Sequence, residues 1–181
     1  MTYINNANTY QIMDIIIFDN VINFLNESNH DINHALAVYY NANIIANADY
    51  PDICDPEIIM YASMLHDKSI NKLALSNFLI NTIDRSKADF IMEIINMHTH
   101  QPYLDILSDA NRLEEISLER CINYARKMNK NIPFDVIQYC HEKLLRISTE
   151  FIHTKKGKAM AKPMHDTLVK DLDKLINGVY K

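Results

Sequence analysis

The stretch from Asp55 to Asp67 limits the fold more than any other part of the chain. Asp55-Pro56 reads as a helix start, because the aspartate can accept from free backbone N–H groups and proline's missing N–H costs nothing in a first turn. Ile58, Ile59, Tyr61, Ala62, Met64 and Leu65 then make the predicted helix apolar on nearly every side, so other elements must enclose it. This enclosed helix ends in His66 and Asp67. Burying an ionised side chain is costly unless it is paired or bound to a metal, which makes that end the first place to look for chemistry.

The enclosing elements should also be helical. Two Gly and five Pro in 181 residues leave few of the turn signals an all-β chain needs, while apolar residues recur at helical spacing. The expected class is all-α, a single domain long enough to bury a sizeable core. Tyr10 to Leu25, with Ile12, Ile15, Ile16, Phe18, Val21 and Ile22, predicts a packing helix before a polar break from Asn26 to Asp31. A second helix follows from Asp31 to Asn47, and another segment runs from Lys72 to Ile83. A helix opens near Ser86, with Asp89 placed as in a capping box, and carries Phe90, Ile91, Ile94 and Ile95 towards His98, Thr99 and His100. Pro102 resets the backbone before a helix that includes Asp109, Asn111 and Arg112 and runs towards Met128. Pro133 opens a helix from Phe134 to Ser148, and a last one spans Gly157 to Ile176 with a break near Pro163.

Charge and cysteine content narrow the function classes. A net charge of −5 provides no general attraction to phosphate backbones, so nucleic acid is not the expected partner. Cys54, Cys121 and Cys140 form no CxxC pair and read as reduced thiols of a cytosolic protein. No basic, apolar and cleavage-site series opens the chain, and no apolar run reaches membrane-spanning length. The expectation is a cytoplasmic protein with no membrane partner; the oligomeric state stays open.

The order His34, then His66-Asp67, then Ser108 to Glu114 resembles the H…HD…D signature of the HD superfamily of metal-dependent phosphohydrolases. The likeness extends to the flanks. His30 to His34 is similar to that family's HDxxH segment, Met64 to Asp67 to its LLHD, and Asp109 to Leu113 to its DADRL. His141 to Leu145 (HEKLL) and Thr154 to Ala161 (TKKGKAMA), followed by His165, resemble the C-terminal segments of the small single-domain bacterial branch of nucleotide pyrophosphohydrolases. The resemblance covers Asn29 to Leu172 and implies an HD-type helical bundle. It divides the chain into an N-terminal packing helix (1–28), a metal-site core (29–114) and C-terminal helices (115–181).

The same resemblance implies a divalent metal, Mn²⁺ before Ni²⁺, Fe²⁺ or Zn²⁺, held by His34, His66 and Asp67, with Asn111 or Asp109 completing the site. Two imidazoles and one or two carboxylates suit such an ion, which can polarise a phosphoryl group and lower the pKa of its bound water. Asp67 and Lys72 take the catalytic roles, and the implied substrate is a nucleotide of the nucleoside triphosphate class.

Each residue also has a plainer reading. His34 and His66 can be hydrogen-bonded core histidines, His30 a loop residue and Asp67 a local cap. His98 and His100 can be exposed residues before Pro102 or, as in other HD branches, ligands of a second metal. Arg112 can pair with Asp109 or Glu115, and Lys155, Lys156 and Lys158 can form a solvated face.

The chain departs from the family in three places: Asn111 stands at the last aspartate ligand, Ile70 at an acid and Ala37 at an arginine. Asp109, two residues before Asn111, would point to a different side of a regular helix. Two functional classes follow: a metal-dependent phosphohydrolase acting on a nucleotide, or a degenerate HD-fold protein that keeps only metal or nucleotide binding.

Overall fold

Local capping chemistry sets where the helices begin. In the computed structural model, Asp55 accepts the Glu57 N–H at 2.9 Å and Pro56 opens the central helix. Asp31 accepts from the His34 N–H, Asn71 from Leu73 and Ala74, and Thr154 from Gly157. Each cap satisfies N–H groups that a helix cannot bond internally.

The structure describes residues 6–28, 30–67, 69–98, 100–127 and 134–178, with 6–16, 124, 127 and 149 described by backbone alone. Thr99, Met128, Pro133 and the side chains of Ile12, Ile15 and Ile16 lie outside what is described. The helices are α1 (Asn6–Glu27), α2 (Ile32–Asp49), α3 (Pro56–Met64), α4 (Lys72–Thr82), α5 (Arg85–Ile95), α6 (Tyr103–Glu115) and α7 (Leu118–Lys127). They continue as α8 (Phe134–Tyr139), a π-helical turn (Cys140–Leu144), α9 (Leu145–Glu150) and α10 (Lys155–Ile176). No strand occurs among the described residues, so the protein is all-α. Among those residues no helix is long and apolar enough to cross a membrane.

α3 is the enclosed helix the sequence predicts. Ile58 through Met64 are all buried, and α2, α5 and α6 pack around it. Its end differs from expectation: Leu65 caps α3, so His66 and Asp67 follow the helix rather than belonging to it. α5 differs at its start. Asp84 caps it, accepting from the Lys87 N–H at 3.0 Å and the Ser86 hydroxyl at 2.6 Å, while Asp89 lies 4.0 Å from Arg85. A carboxylate immediately before the first turn displaces the weaker Ser86 hydroxyl as cap.

α10 docks through its N-terminus. The buried Asp109 on α6 accepts the His153 N–H at 3.0 Å and the Thr154 N–H at 2.7 Å, and Asp49 on α2 accepts the Lys156 N–H at 2.7 Å. Carboxylates at a helix N-terminus meet both free N–H groups and the positive end of the helix dipole. Gly157 makes the approach close enough, because a Cβ there would lie 2.5 Å from Thr154 Oγ1 and 2.9 Å from Asp109 Oδ2. Helix α10 continues through Pro163 instead of breaking.

Candidate functional site

Three of the residues selected from sequence come within hydrogen-bond distance of one another. His34 lies in the first turn of α2, His66 just past α3, and Asn111 in the middle of α6. His34 Nε2 lies 3.2 Å from His66 Nε2, which is 3.3 Å from Asn111 Oδ1. They line a cavity of about 770 Å³ together with Asp67, Ser108, Arg112, Glu115, Arg120, Glu142, Lys143, Arg146 and Phe151. Glu142 and Lys143 come from the π-helical turn and Arg146 from α9, so one continuous helical segment supplies that wall.

The outer nitrogens are tied down. His66 Nδ1 donates to the Ser63 carbonyl at 2.7 Å, which fixes the tautomer and leaves Nε2 as a lone pair facing the cavity. His34 Nδ1 lies 3.1 Å from Glu114 Oε2 and 3.3 Å from the Arg120 guanidinium, and Arg120 closes an ion pair with the other oxygen of Glu114. Burial, reinforced by Arg120, pushes His34 below its ordinary 6.5 against the fields of Asp31, Asp67 and Glu115. Burial also lowers His66, outweighing the Ser63 and Asn111 hydrogen bonds. Both rings are therefore neutral near pH 7.

Two imidazole lone pairs cannot face each other at 3.2 Å without a positive centre between them. That centre is either a proton on one ring or a cation. If His34 gives its Nδ1 proton to Glu114, its Nε2 has no proton to share, and the pair together with Asn111 Oδ1 forms a donor set for a metal. If Arg120 instead donates to His34 Nδ1, His34 Nε2–H can donate to His66 and no metal is needed. Glu114 bears on the choice: its Oε2, 3.1 Å from His34 Nδ1, is buried with no donor aligned on it, and an orphaned buried oxygen costs about 1–3 kcal/mol, more when charged. A turn of the His34 ring that aligned Nδ1–H on Oε2 would satisfy it and favours the first arrangement, whereas the ring as it stands is aligned on Arg120. The donor chemistry thus fits a divalent transition metal, with each ligating ring backed by a carboxylate or carbonyl. Among the described residues no three His, Cys, Asp or Glu side chains make a ready ligand group; the oxygen within hydrogen-bond distance of the imidazole pair is that of the Asn111 amide.

The other predicted residues are placed differently. Asp67 lines the cavity, but its Oδ1 accepts from the Ser69 N–H and hydroxyl at 2.8 Å and its Oδ2 lies 3.4 Å from His30 Nδ1. Burial raises its pKa, yet Ser69 and His30 outweigh that and hold it below the usual value, so it is ionised. His30 is a loop residue, as its plainer reading has it, and it braces Asp67. The structure does not bring Asp109 to the imidazoles, because both of its oxygens are spent on the α10 N-terminus. Lys72 lies outside the cavity, donating to Asn96 Oδ1 at 2.6 Å beside a hollow of about 290 Å³ that borders Asp67 and Ile70. His98 is exposed, and His100 binds Glu93 against the Phe90 ring; neither lines the cavity. Arg112 lies 4.0 Å from Asp109 and donates to the Phe151 carbonyl.

Sequence reasoning missed Glu114 and Arg120. Glu114 closes the stretch that resembles the signature but takes no role from it, and Arg120 is 86 residues from the histidine it touches, so no local spacing links them.

The fold and site define an all-α protein with a histidine-floored, arginine-rich cavity. No family model matches the chain, and no curated protein matches it in sequence. Its structure is similar to the crystal structure of Bacillus subtilis YpgQ, with a TM-score of 0.79 and 18% identity over 91% of this chain and 96% of that one. The crystal structure of the selenomethionine form of YpgQ gives 0.78 and 17% over 92% and 95%. At such identity the likeness is one of fold, and it extends over nearly the whole of both chains.

Proposed function

We propose that this protein is a divalent-metal-dependent phosphohydrolase of the HD type acting on a nucleotide, with nucleoside triphosphates as the substrate class. The observation that carries the reading is the pair of imidazoles, their Nε2 atoms 3.2 Å apart, at a cavity wall shared with four cationic side chains. His34, His66 and Asn111 would hold the ion, Mn²⁺ being the first choice. The ion would act as a Lewis acid on a phosphoryl oxygen and lower the pKa of bound water. Arg112 is preorganised for phosphate, its guanidinium held by the Phe151 carbonyl and lying 5.8 Å from the Phe151 ring centre. Arg146 approaches the same ring at 5.4 Å, and planar guanidinium groups suit bidentate phosphate binding. Asp67, ionised and fixed by Ser69 and His30, would orient water or take a proton.

The Arg120 contact to His34 Nδ1 supports a second reading, a degenerate site in which a shared proton replaces the metal. Thermal unfolding of metal-stripped protein during a Mn²⁺ titration separates the two. At an ion concentration of 100 Kd, binding adds about 2.7 kcal/mol, a Tm rise of roughly 5–10 °C for a chain of this size. That rise should vanish in His66→Ala, and the loaded wild type should release phosphate or pyrophosphate from nucleoside triphosphates. A flat response to Mn²⁺, Ni²⁺ and Zn²⁺ would favour the degenerate site.

A further inference from the structure

An imidazole binds a metal in its neutral form, so the three donors that meet at the cavity wall, His34 Nε2, His66 Nε2 and Asn111 Oδ1, bring no charge to an ion. A dication held there needs a nearby carboxylate, because an uncompensated buried charge is costly. The other carboxylates fall short of two charges. Asp109 is buried under the α10 N-terminus and Glu114 is paired with Arg120, which leaves the ionised Asp67, held by Ser69 and His30, to bring one.

We propose that Glu115 supplies the charge that Asn111 lacks, standing one helical turn further along α6 on the same cavity wall. This rests on the metal reading above. Residues four apart share a helix face, and a helical side chain leans back over the turn that precedes it, so Glu115 leans towards Asn111. Both line the cavity that the two histidines line. Glu115 is 29% exposed, and its Oε2 faces Lys143 Nζ at 3.5 Å, with Lys143 itself 51% exposed. Such a solvated pair contributes little, so the carboxylate can exchange the ammonium for a stronger cation. The missing acid has moved along the helix rather than disappearing, which explains how Asn is tolerated at position 111.

The test is Mn²⁺ affinity, measured by thermal unfolding of the metal-stripped full chain for wild type, Glu115→Gln, Asn111→Asp, the double variant and Lys143→Met. Glu115→Gln should weaken Mn²⁺ binding by roughly tenfold or more, within the range seen when a supporting group of a metal site is lost. Asn111→Asp should restore most of that affinity in the Glu115→Gln background, and Lys143→Met should leave Mn²⁺ affinity equal to or tighter than wild type. Wild-type affinity in Glu115→Gln overturns the proposal while leaving the metal reading intact. Equal weakening in Lys143→Met overturns it too, because Glu115 would then act only by placing Lys143. A wild type that ignores Mn²⁺ overturns both.

Discussion

Glu114 Oε2 lies 3.1 Å from His34 Nδ1, and both side chains are largely buried, at 14% and 16% exposure. A carboxylate behind an imidazole orients the ring and strengthens its opposite nitrogen as a ligand. Glu114→Gln keeps the volume and removes the charge, so Mn²⁺ affinity should fall by about 10–100-fold, and the metal-free Tm should also fall because Arg120 loses its carboxylate. Calorimetric titration of Mn²⁺ into both proteins checks this, and equal affinities would reduce Glu114 to a packing residue.

The same contact predicts a proton position. In the Zn²⁺-loaded protein, which is diamagnetic, long-range proton–nitrogen correlation spectra should show His34 and His66 both protonated at Nδ1 and bare at Nε2. A proton on His34 Nε2 that persists in the presence of Zn²⁺ would mean Arg120 donates to Nδ1 and the imidazoles bond to each other without a metal.

Asp109 predicts a stability loss rather than a catalytic one. It is fully buried and accepts from two backbone N–H groups, so Asp109→Asn turns an amide N–H towards N–H donors and should cost about 1–3 kcal/mol. Gly157→Ala drives a methyl to 2.9 Å from the same carboxylate and should cost about 1–3 kcal/mol by overpacking. Denaturant unfolding of the metal-free proteins measures both. A Mn²⁺ affinity that collapses in Asp109→Asn, with stability unchanged, would return Asp109 to the metal site.

What the sequence reveals and what it hides divides by range. The cap at Asp55, the enclosed helix α3 and the association of His34 with His66 rest on local spacing or ordered motifs, and the structure has them. The reading of Asp109 as facing away from Asn111 followed from helix geometry alone, and its actual partners lie on α10. Pro163 misleads because Ala159, whose carbonyl loses its helical partner, is exposed and water can take that bond. Glu114 and Arg120 became visible only in three dimensions, since the short break between α6 and α7 is what folds Arg120 back onto both Glu114 and His34.

The last prediction concerns acid stability and is independent of any metal. Asp55 caps α3 and lies 3.0 Å from Lys87 of α5, which also pairs with Glu57. Burial pushes the Asp55 carboxyl up, but Lys87 and the Glu57 N–H outweigh it and hold the group below its ordinary 3.8. Between the folded pKa and 3.8 the unfolded chain therefore binds more protons than the folded one, so stability rises with pH through that window. The contribution is fully present above 3.8 and is lost as pH falls below it. Denaturant midpoints of the metal-free protein should therefore drop more steeply between pH 4.5 and 2.5, on the order of those values from ordinary carboxyl titration, than those of Asp55→Asn. Lys87→Met should flatten the same slope while keeping the cap. An acid slope unchanged in both variants would mean the Asp55 to Lys87 contact does not join α3 to α5 in solution.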